Sequence, residues 1–516
     1  MQRPPDYGII YNWDGAPHGY SEYPQSMEQF LDKAYSVMKD TQVGAHFWST
    51  GGSEDGDLRL NKPDSYIHAR HFTQSANILS MYDRGEDPHA ALIQRGHELG
   101  MHVYASVRMN DNHFGGMQPH EMEHSKHPSL TQFRRSHPEY LLGDRAGEWF
   151  ALSFDFAISE VRERRFNTIK ELCENSDWDG VELDWQRHAF HFDEDYGYRM
   201  RYTLTDIQRA VRTLTNEISE RRGKPFYLAA RVNGYLEMCD RIGYDIKTWI
   251  EEDLVDIIIP AGGALTETEH EIAEFKNLCE GTNILVYPGF DTSISGAAQG
   301  PEDGFTKDQM MNRALAARHH MLGADGIYIF NWHANGETRR ELLNTIGSPE
   351  TLRRTDKIYA ATRRVIIDEG EWRGAFWKDR IRGTVPVPLK RTLTGDGPTM
   401  ILEVADDLTS DKPSHLELRF RLENWAKGDE LKILWDGEEL GDFERHYDQV
   451  FVPFSNQFIS HVSDVSDAIW ISREMTVDEV LMGLHQVKVI LEDRNEEIDD
   501  NSDIILTDVE LVIRYD

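Results

Sequence analysis

The sequence predicts a (β/α)8 barrel followed by an antiparallel β-sandwich. Three observations carry this. Short apolar, β-branched or aromatic runs alternate with helical-period segments eight times over the first two thirds of the 516-residue chain. After about residue 375 helical periodicity nearly vanishes and apolar and polar residues alternate instead. One connection, from Arg108 to Phe156, contains no strong element, and loops of that length inside a compact domain are mostly functional.

The eight runs are Gly8–Asp14, Val43–Ser49, Met101–Arg108, Gly180–Gln186, Phe226–Asn233, Val255–Ala261, Ile284–Phe290 and Gly326–Trp332. Helical periodicity falls between them, over Ser26–Lys39, Pro88–Leu99, Ser159–Cys173, Thr205–Arg221, Thr266–Cys279 and Thr306–Leu322, with a last helix from near Glu337. The barrel domain is assigned to residues 1–375. Residues 376–516 form the sandwich: LELRFRL (Leu416–Leu422), HQVKVIL and DVELVIRY alternate, and LKILWDGEEL (Leu431–Leu440) is two strands about an Asp-Gly turn. The run Glu492–Asp503 is an acidic, solvated loop, with a calcium site as the alternative.

Composition narrows the function. A formal charge of −35, from 55 Lys and Arg against 90 Asp and Glu, disfavours nucleic acids and anionic membranes as partners. Cys173, Cys239 and Cys279 are far apart and lack CxxC spacing, which argues against a disulfide framework or a cysteine metal site. No signal-peptide pattern opens the sequence and no run of about 18 apolar residues occurs, so a soluble cytoplasmic protein is expected. No cofactor motif appears: GDGP and ISGAAQG lack phosphate-loop spacing.

In a parallel barrel the strand ends point to the mouth, where active sites of this fold lie. Those ends supply Asn12 and Asp14, His46 and Trp48, Arg108 and Asn110, then Asp184, Gln186, Arg187 and His188. Later strands add Arg231, Asn233, Asp291, Asn331, Trp332 and His333. This mixture of planar rings, amides and carboxylates suits a carbohydrate site. Each residue also has a plain structural reading. Asp14 can cap a turn, Trp48 or Trp332 can pack, and His333 can hold a backbone group. Glu182, one pleat below Asp184, can be a buried support group. The arginines and histidines in an acidic protein suggest an anionic sugar, or else they neutralise the barrel carboxylates. HEMEH (His120–His124) matches the HExxH zinc pattern, but follows a proline in a loop without a long apolar helix, so no metal site is expected.

Several segments resemble a known group. HELGMHVYASVRMND (His97–Asp111), SHPEYLLGD, and the run from SFDFAISEVRERR to DWDGVELDW resemble bacterial glycosyl-hydrolase-like proteins of the family-10-like group. Asp179, Gly180 and Asp184 match that group's Asp-Gly-x-x-x-Asp. The resemblance implies a barrel hydrolase of glycosidic bonds with Asp184 in the site. The fourth strand is also similar to the Asp-Gly-x-Asp-x-Asp-x-Glu signature of glycoside hydrolase family 18. There Glu182 and Asp184 take the two aspartate places, and Gln186 stands where the general acid should be. Glutamine cannot release a proton, so that family's mechanism does not carry over.

The expectation is a glycoside hydrolase acting on a poly- or oligosaccharide, anionic by preference, through two carboxylates. Asp184 is expected as nucleophile or base, with Asp291 as first choice of partner, then Glu182 and Glu237. The alternative is a barrel that binds sugar without cutting it.

Overall fold

A computed structural model describes the chain except residues 1, 14–22, 50–72, 111, 113, 115, 126–129, 147–149, 194–195, 263–265, 267, 292–301, 303, 332–336, 363–384, 448–467 and 516. Six strands, β1 (Ile9–Trp13), β2 (Val43–Ser49), β3 (His102–Arg108), β4 (Gly180–Asp184), β5 (Tyr227–Asn233) and β6 (Ile257–Ala261), pair in parallel in chain order. Two short runs, β7 (Leu285–Val286) and β8 (Gly289–Asp291), are halves of one strand. β7 pairs with β6, and β8 with β9 (Ile327–Phe330), which returns to β1. Pro288 between the halves has no N–H and interrupts the ladder. Bonds from Tyr287 N to Ile258 O (2.9 Å) and from Tyr328 N to Pro288 O (3.0 Å) carry the sheet across the break. The nine runs therefore close an eight-strand barrel.

Helices Met27–Tyr35, Pro88–Glu98, Ser159–Asn175, Ile272–Leu278 and Gly304–Met321 fall where periodicity placed them, with shifted ends. Their starts are chemically marked. Ser26 and Gln29 make a reciprocal capping box, and Asp87 caps the helix that opens on Pro88. Helix Gly197–Arg222 begins eight residues earlier than the periodic segment at Thr205. Helices Thr73–Asp83, Leu236–Ile242 and Ile246–Glu251 were not read from sequence.

Inward-facing residues stack in tiers. Tyr7, Tyr104, Tyr227 and Tyr287 floor the barrel, with Tyr7 and Tyr104 hydroxyls 2.8 Å apart. Gly180 makes room for this tier: a Cβ there would lie 2.4 Å from the Tyr104 ring and 2.5 Å from Tyr227 O. Above the aromatic tier the interior turns polar, and the candidate site begins.

The sandwich has a sheet ordered β10 (Lys357–Ala360), β19 (Ile504–Arg514), β13 (His415–Glu423), β17 (Ile469–Glu474) and β16 (Glu444–Tyr447), with β11 (Val387–Leu389) also on β19. The facing sheet is β12 (Thr399–Val404), β18 (Gly483–Asp493), β14 (Glu430–Trp435) and β15 (Glu438–Leu440). Asp436 and Gly437 both have positive φ (51° and 88°), the geometry a two-residue hairpin turn needs. Because β10 pairs with β19, the sandwich begins by Lys357, ahead of the expected boundary. Residues 375–376 themselves lie outside the described residues.

On the polar face of LELRFRL, Arg419 meets the barrel rather than water. Arg419 is buried and binds Glu510, its cross-strand neighbour, and Glu302 of the barrel through both terminal nitrogens (3.0 and 2.7 Å). Lys307, on helix Gly304–Met321, reaches Glu510 at 2.5 Å with both side chains almost fully buried. Although burial opposes its charge, Glu302 is held below the usual carboxylate range by Arg419 and Arg514. Among the described residues no helix is long and apolar enough to cross a membrane. In Glu492–Asp503, Asp500 pairs with Arg494 and Asp503 accepts from Arg391 N.

Glu510→Gln keeps the shape but removes the charge that Lys307 and Arg419 share. Breaking a buried ion network in this way costs about 3–5 kcal/mol. The expected result is a lower urea midpoint at unchanged slope, read by circular dichroism.

Candidate active site

The site grows from β4. Its odd-numbered Val181 and Leu183 face the helices, and Glu182 and Asp184 face inward. Both carboxylates are fully buried, so each needs partners. Asp184 Oδ1 accepts from the backbone N–H groups of Gln186 (3.1 Å) and Arg187 (2.9 Å). Arg231, on neighbouring β5, donates from Nη1 to both Asp184 oxygens at 3.1 Å. Its Nη2 donates to Asp291 Oδ2 (3.0 Å) and Gly262 O (2.9 Å). The Phe330 ring centre lies 4.2 Å from the guanidinium carbon, a cation–π contact. Burial alone would disfavour this cation, but Asp184 and Asp291 more than offset it and keep Arg231 charged.

Glu182 lies one pleat deeper. Its Oε1 accepts from Tyr328 OH (2.7 Å) and its Oε2 contacts Asn12 Nδ2 (2.7 Å). Burial, and then the Asp184 charge, push its carboxyl up to about 7. Asn12 supports a proton there. Its Nδ2 has three oxygen neighbours, Glu182, Tyr328 and Ser106, for two hydrogens, while its buried Oδ1 has no partner. Turning the amide over lets Oδ1 accept from a protonated Glu182 and from the hydroxyls beside it. Charge agrees: Arg231 already holds two carboxylates, Asp184 and Asp291, and a third anion beside them would be unanswered. Arg108 sits directly across from Asp184 in the β3–β4 register.

The structure thus brings together Asn12, Arg108, Glu182, Asp184, Arg231 and Asp291. Gln186 and His188 are buried just past β4, Arg187 is half-buried, and Gln186 Oε1 has no hydrogen-bond partner. Asn233 uses Oδ1 to accept from Tyr235 N (3.1 Å), which shapes the turn after β5.

His46 and Trp48 depart from expectation. Phe47 faces inward, so strand alternation turns both outward. His46 packs edge-on against Tyr35 and Trp48 against Phe30, both on helix Met27–Tyr35. Burial pushes the His46 imidazole down to about 3. Asn110 is a staple for the long connection: it donates to Phe154 O and Phe190 O and accepts from Phe154 N. Glu237 is exposed on helix Leu236–Ile242. Asp14, Trp332 and His333 lie outside the described residues.

Pro119–Glu121 of the HEMEH stretch is a single 3₁₀ turn in which Glu121 accepts from Gln118 N. No α-helix sets His120 and His124 on one face, and no group of three metal-binding side chains occurs among the described residues. Sequence reading missed Tyr328 and Ser106. The signal was available, because both share the inward parity of Phe330 and Arg108 on their strands. A cleft of about 640 Å³ lies elsewhere, lined by Met311, Leu315 and Arg318 of helix Gly304–Met321 and by Tyr359 and Ile401 of the sandwich. It shares no residue with the carboxylate cluster.

No protein-family model and no curated protein matches the chain. Solved structures align over long spans at low similarity. An alpha-amylase from Geobacillus thermoleovorans, complexed with acarbose, is 11% identical over 96% of this chain and 100% of that one, with a TM-score of 0.39. An Anoxybacillus alpha-amylase is 13% identical over 95% and 99%, TM-score 0.38. A Paenibacillus cycloisomaltooligosaccharide glucanotransferase complexed with cycloisomaltoheptaose is 9% identical over 97% of this chain, TM-score 0.33, and the chain spans 57% of its length. A likeness at this level carries no argument about activity.

Glu182 makes stability depend on pH. The folded chain holds a proton that an unfolded glutamate, titrating at about 4.3, has released. Its contribution is therefore fully present below about pH 4 and is lost as the pH rises to about 7. The change amounts to roughly 3 kcal/mol. Urea unfolding from pH 4 to 8 is expected to show this decline in the wild type and a flatter profile in Glu182→Gln. Parallel profiles would show that Glu182 is charged in the folded state.

Proposed function

We propose that the protein is a glycoside hydrolase whose reaction centre is the Asp184–Arg231–Asp291 cluster. The observation that carries this is one buried guanidinium holding two carboxylates at the C-terminal ends of β4 and β8. Bound at 3.1 and 3.0 Å to the terminal nitrogens of one guanidinium, the contacting oxygens lie within roughly 8 Å of each other. This upper bound admits the separations that glycosidase carboxylate pairs span.

Roles follow from charge. Arg231 sets one positive charge between the two aspartates, and Asp184 takes the role of nucleophile or base. Asp291 is its partner across the scissile bond. Glu182 is the carboxyl disposed to hold a proton near neutral pH, and its bonds to Asn12 and Tyr328 place it beneath Asp184 as a proton reservoir. The resemblance of the fourth-strand segments to family-10-like proteins supports the reading. Arg231 directs its donors inward, so a preference for uronic or sulfated sugars rests on Arg108 and Arg187.

Gln186 favours a second reading, a barrel that binds glycan without cutting it. Its buried, unpartnered Oε1 suits an acceptor for a sugar hydroxyl, and it stands where a family-18 acid would be.

Wild type, Asp184→Asn and Asp291→Asn are to be assayed on amylose, polygalacturonate and chondroitin sulfate. One substrate is expected to yield new reducing ends, with each variant slower by about 10²–10⁴-fold. Binding without product in the wild type would select the second reading. Full activity of Asp291→Asn would remove it as the partner.

A further inference from the structure

We infer that Tyr198 and Tyr202 form an aromatic platform beside the barrel mouth that holds a distal part of a glycan chain. This rests on the glycosidase reading and extends it to a second binding position. Among the described residues five aromatic side chains are largely exposed: Tyr23, Tyr196, Tyr198, Tyr202 and Phe305. Three of the five fall within seven residues at the start of helix Gly197–Arg222. That helix leaves the mouth end of β4, directly after the segment that carries Asp184, Gln186 and Arg187.

The platform is built rigidly. Gly197 is buried, and a Cβ there would lie 2.3 Å from Arg241 O and 2.8 Å from Ile242 Cα. The helix start therefore rests directly on helix Leu236–Ile242. Arg201 covers one face of Tyr198, its guanidinium carbon 4.1 Å from the ring centre. The same arginine donates to Tyr198 O (2.8 Å) and pairs with Asp245 (3.4 Å). Tyr198 keeps 52% of its surface exposed and Tyr202 57%. Their i, i+4 spacing puts both on one side of the helix, about 6 Å apart along its axis.

The chemistry fits sugar better than protein. Sugar rings present C–H faces that stack on aromatic planes, while phenol and guanidinium groups meet their hydroxyls. A protein-docking face would add exposed aliphatic side chains. The large exposed aliphatic residues among those described, Leu393, Ile401, Leu481, Met482 and Leu484, all lie in the sandwich.

The test compares affinity for amylose, polygalacturonate and chondroitin sulfate with affinity for the trisaccharide or disaccharide of each. Wild type is expected to prefer one polymer over its short form. In Tyr198→Ala/Tyr202→Ala that polymer-to-oligosaccharide ratio is expected to fall about tenfold, from two stacking contacts. Tyr198→Phe/Tyr202→Phe retains the rings and is expected to retain the ratio. An unchanged ratio in the alanine variant overturns the platform while leaving the glycosidase reading standing. Equal loss in the phenylalanine variant overturns stacking as its basis. If wild type binds none of these glycans in either form, the glycosidase reading fails and the platform with it.

Discussion

A charged guanidinium at the centre of a protein is the constraint on which this barrel is arranged. Arg231 has no exposed surface, and an isolated buried cation would cost several kcal/mol. It is tolerable because Asp184, Asp291, Gly262 O and the Phe330 ring surround it from four different segments. Those groups come from β4, β8, the residue after β6, and β9. One side chain thus requires strands across the barrel to end at matching heights. Loss of either carboxylate would leave a net charge in low dielectric.

The same requirement explains why Glu182 behaves unlike Asp184 two residues away. Two anions already answer Arg231, and a third beside them would be surplus. Glu182 is therefore the carboxyl that gives way, with Asn12 and Tyr328 able to bond its neutral form. Burial and the Asp184 charge act together on Glu182. The barrel–sandwich junction solves a similar problem with more residues. There Arg419 and Lys307 answer Glu302 and Glu510 across the domains, which fixes the sandwich against the final long barrel helix.

Strand positions were legible because β-branched and aromatic runs are the strongest local signal in the chain. Seven of the eight predicted barrel runs overlap a single strand, and the remaining one is split only by Pro288. Side-chain direction was less legible. Naming consecutive residues at each strand end mixes both faces, and His46 and Trp48 entered the candidate site in that way. Counting parity from Phe47 would have sent them outward. Tyr328 was lost for the opposite reason: it lies below the strand end, yet shares the inward parity. The domain boundary was placed too late because KIYA (Lys357–Ala360) is a four-residue strand whose partner, β19, lies about 150 residues away. No local pattern reports so distant a pairing.

The Asp-Gly-x-x-x-Asp motif shows how far a short pattern can be taken. Asp179 Oδ2 accepts from Val103 N (2.8 Å) and contacts His97 Nε2 (2.7 Å), so it fastens the entry of β3 and the helix before it. Gly180 is required because the Tyr104 ring fills the space of a side chain. Two of the three motif positions are therefore accounted for by barrel assembly alone, at the end opposite the mouth. A barrel with the same floor would retain them whatever it bound. Only Asp184 reaches the polar tier, and its specific meaning comes from Arg231 and Asp291, which lie far outside the motif. The physical content of the motif is thus a way of building this fourth strand, and the chemistry has to be argued from the ion cluster that the strand carries.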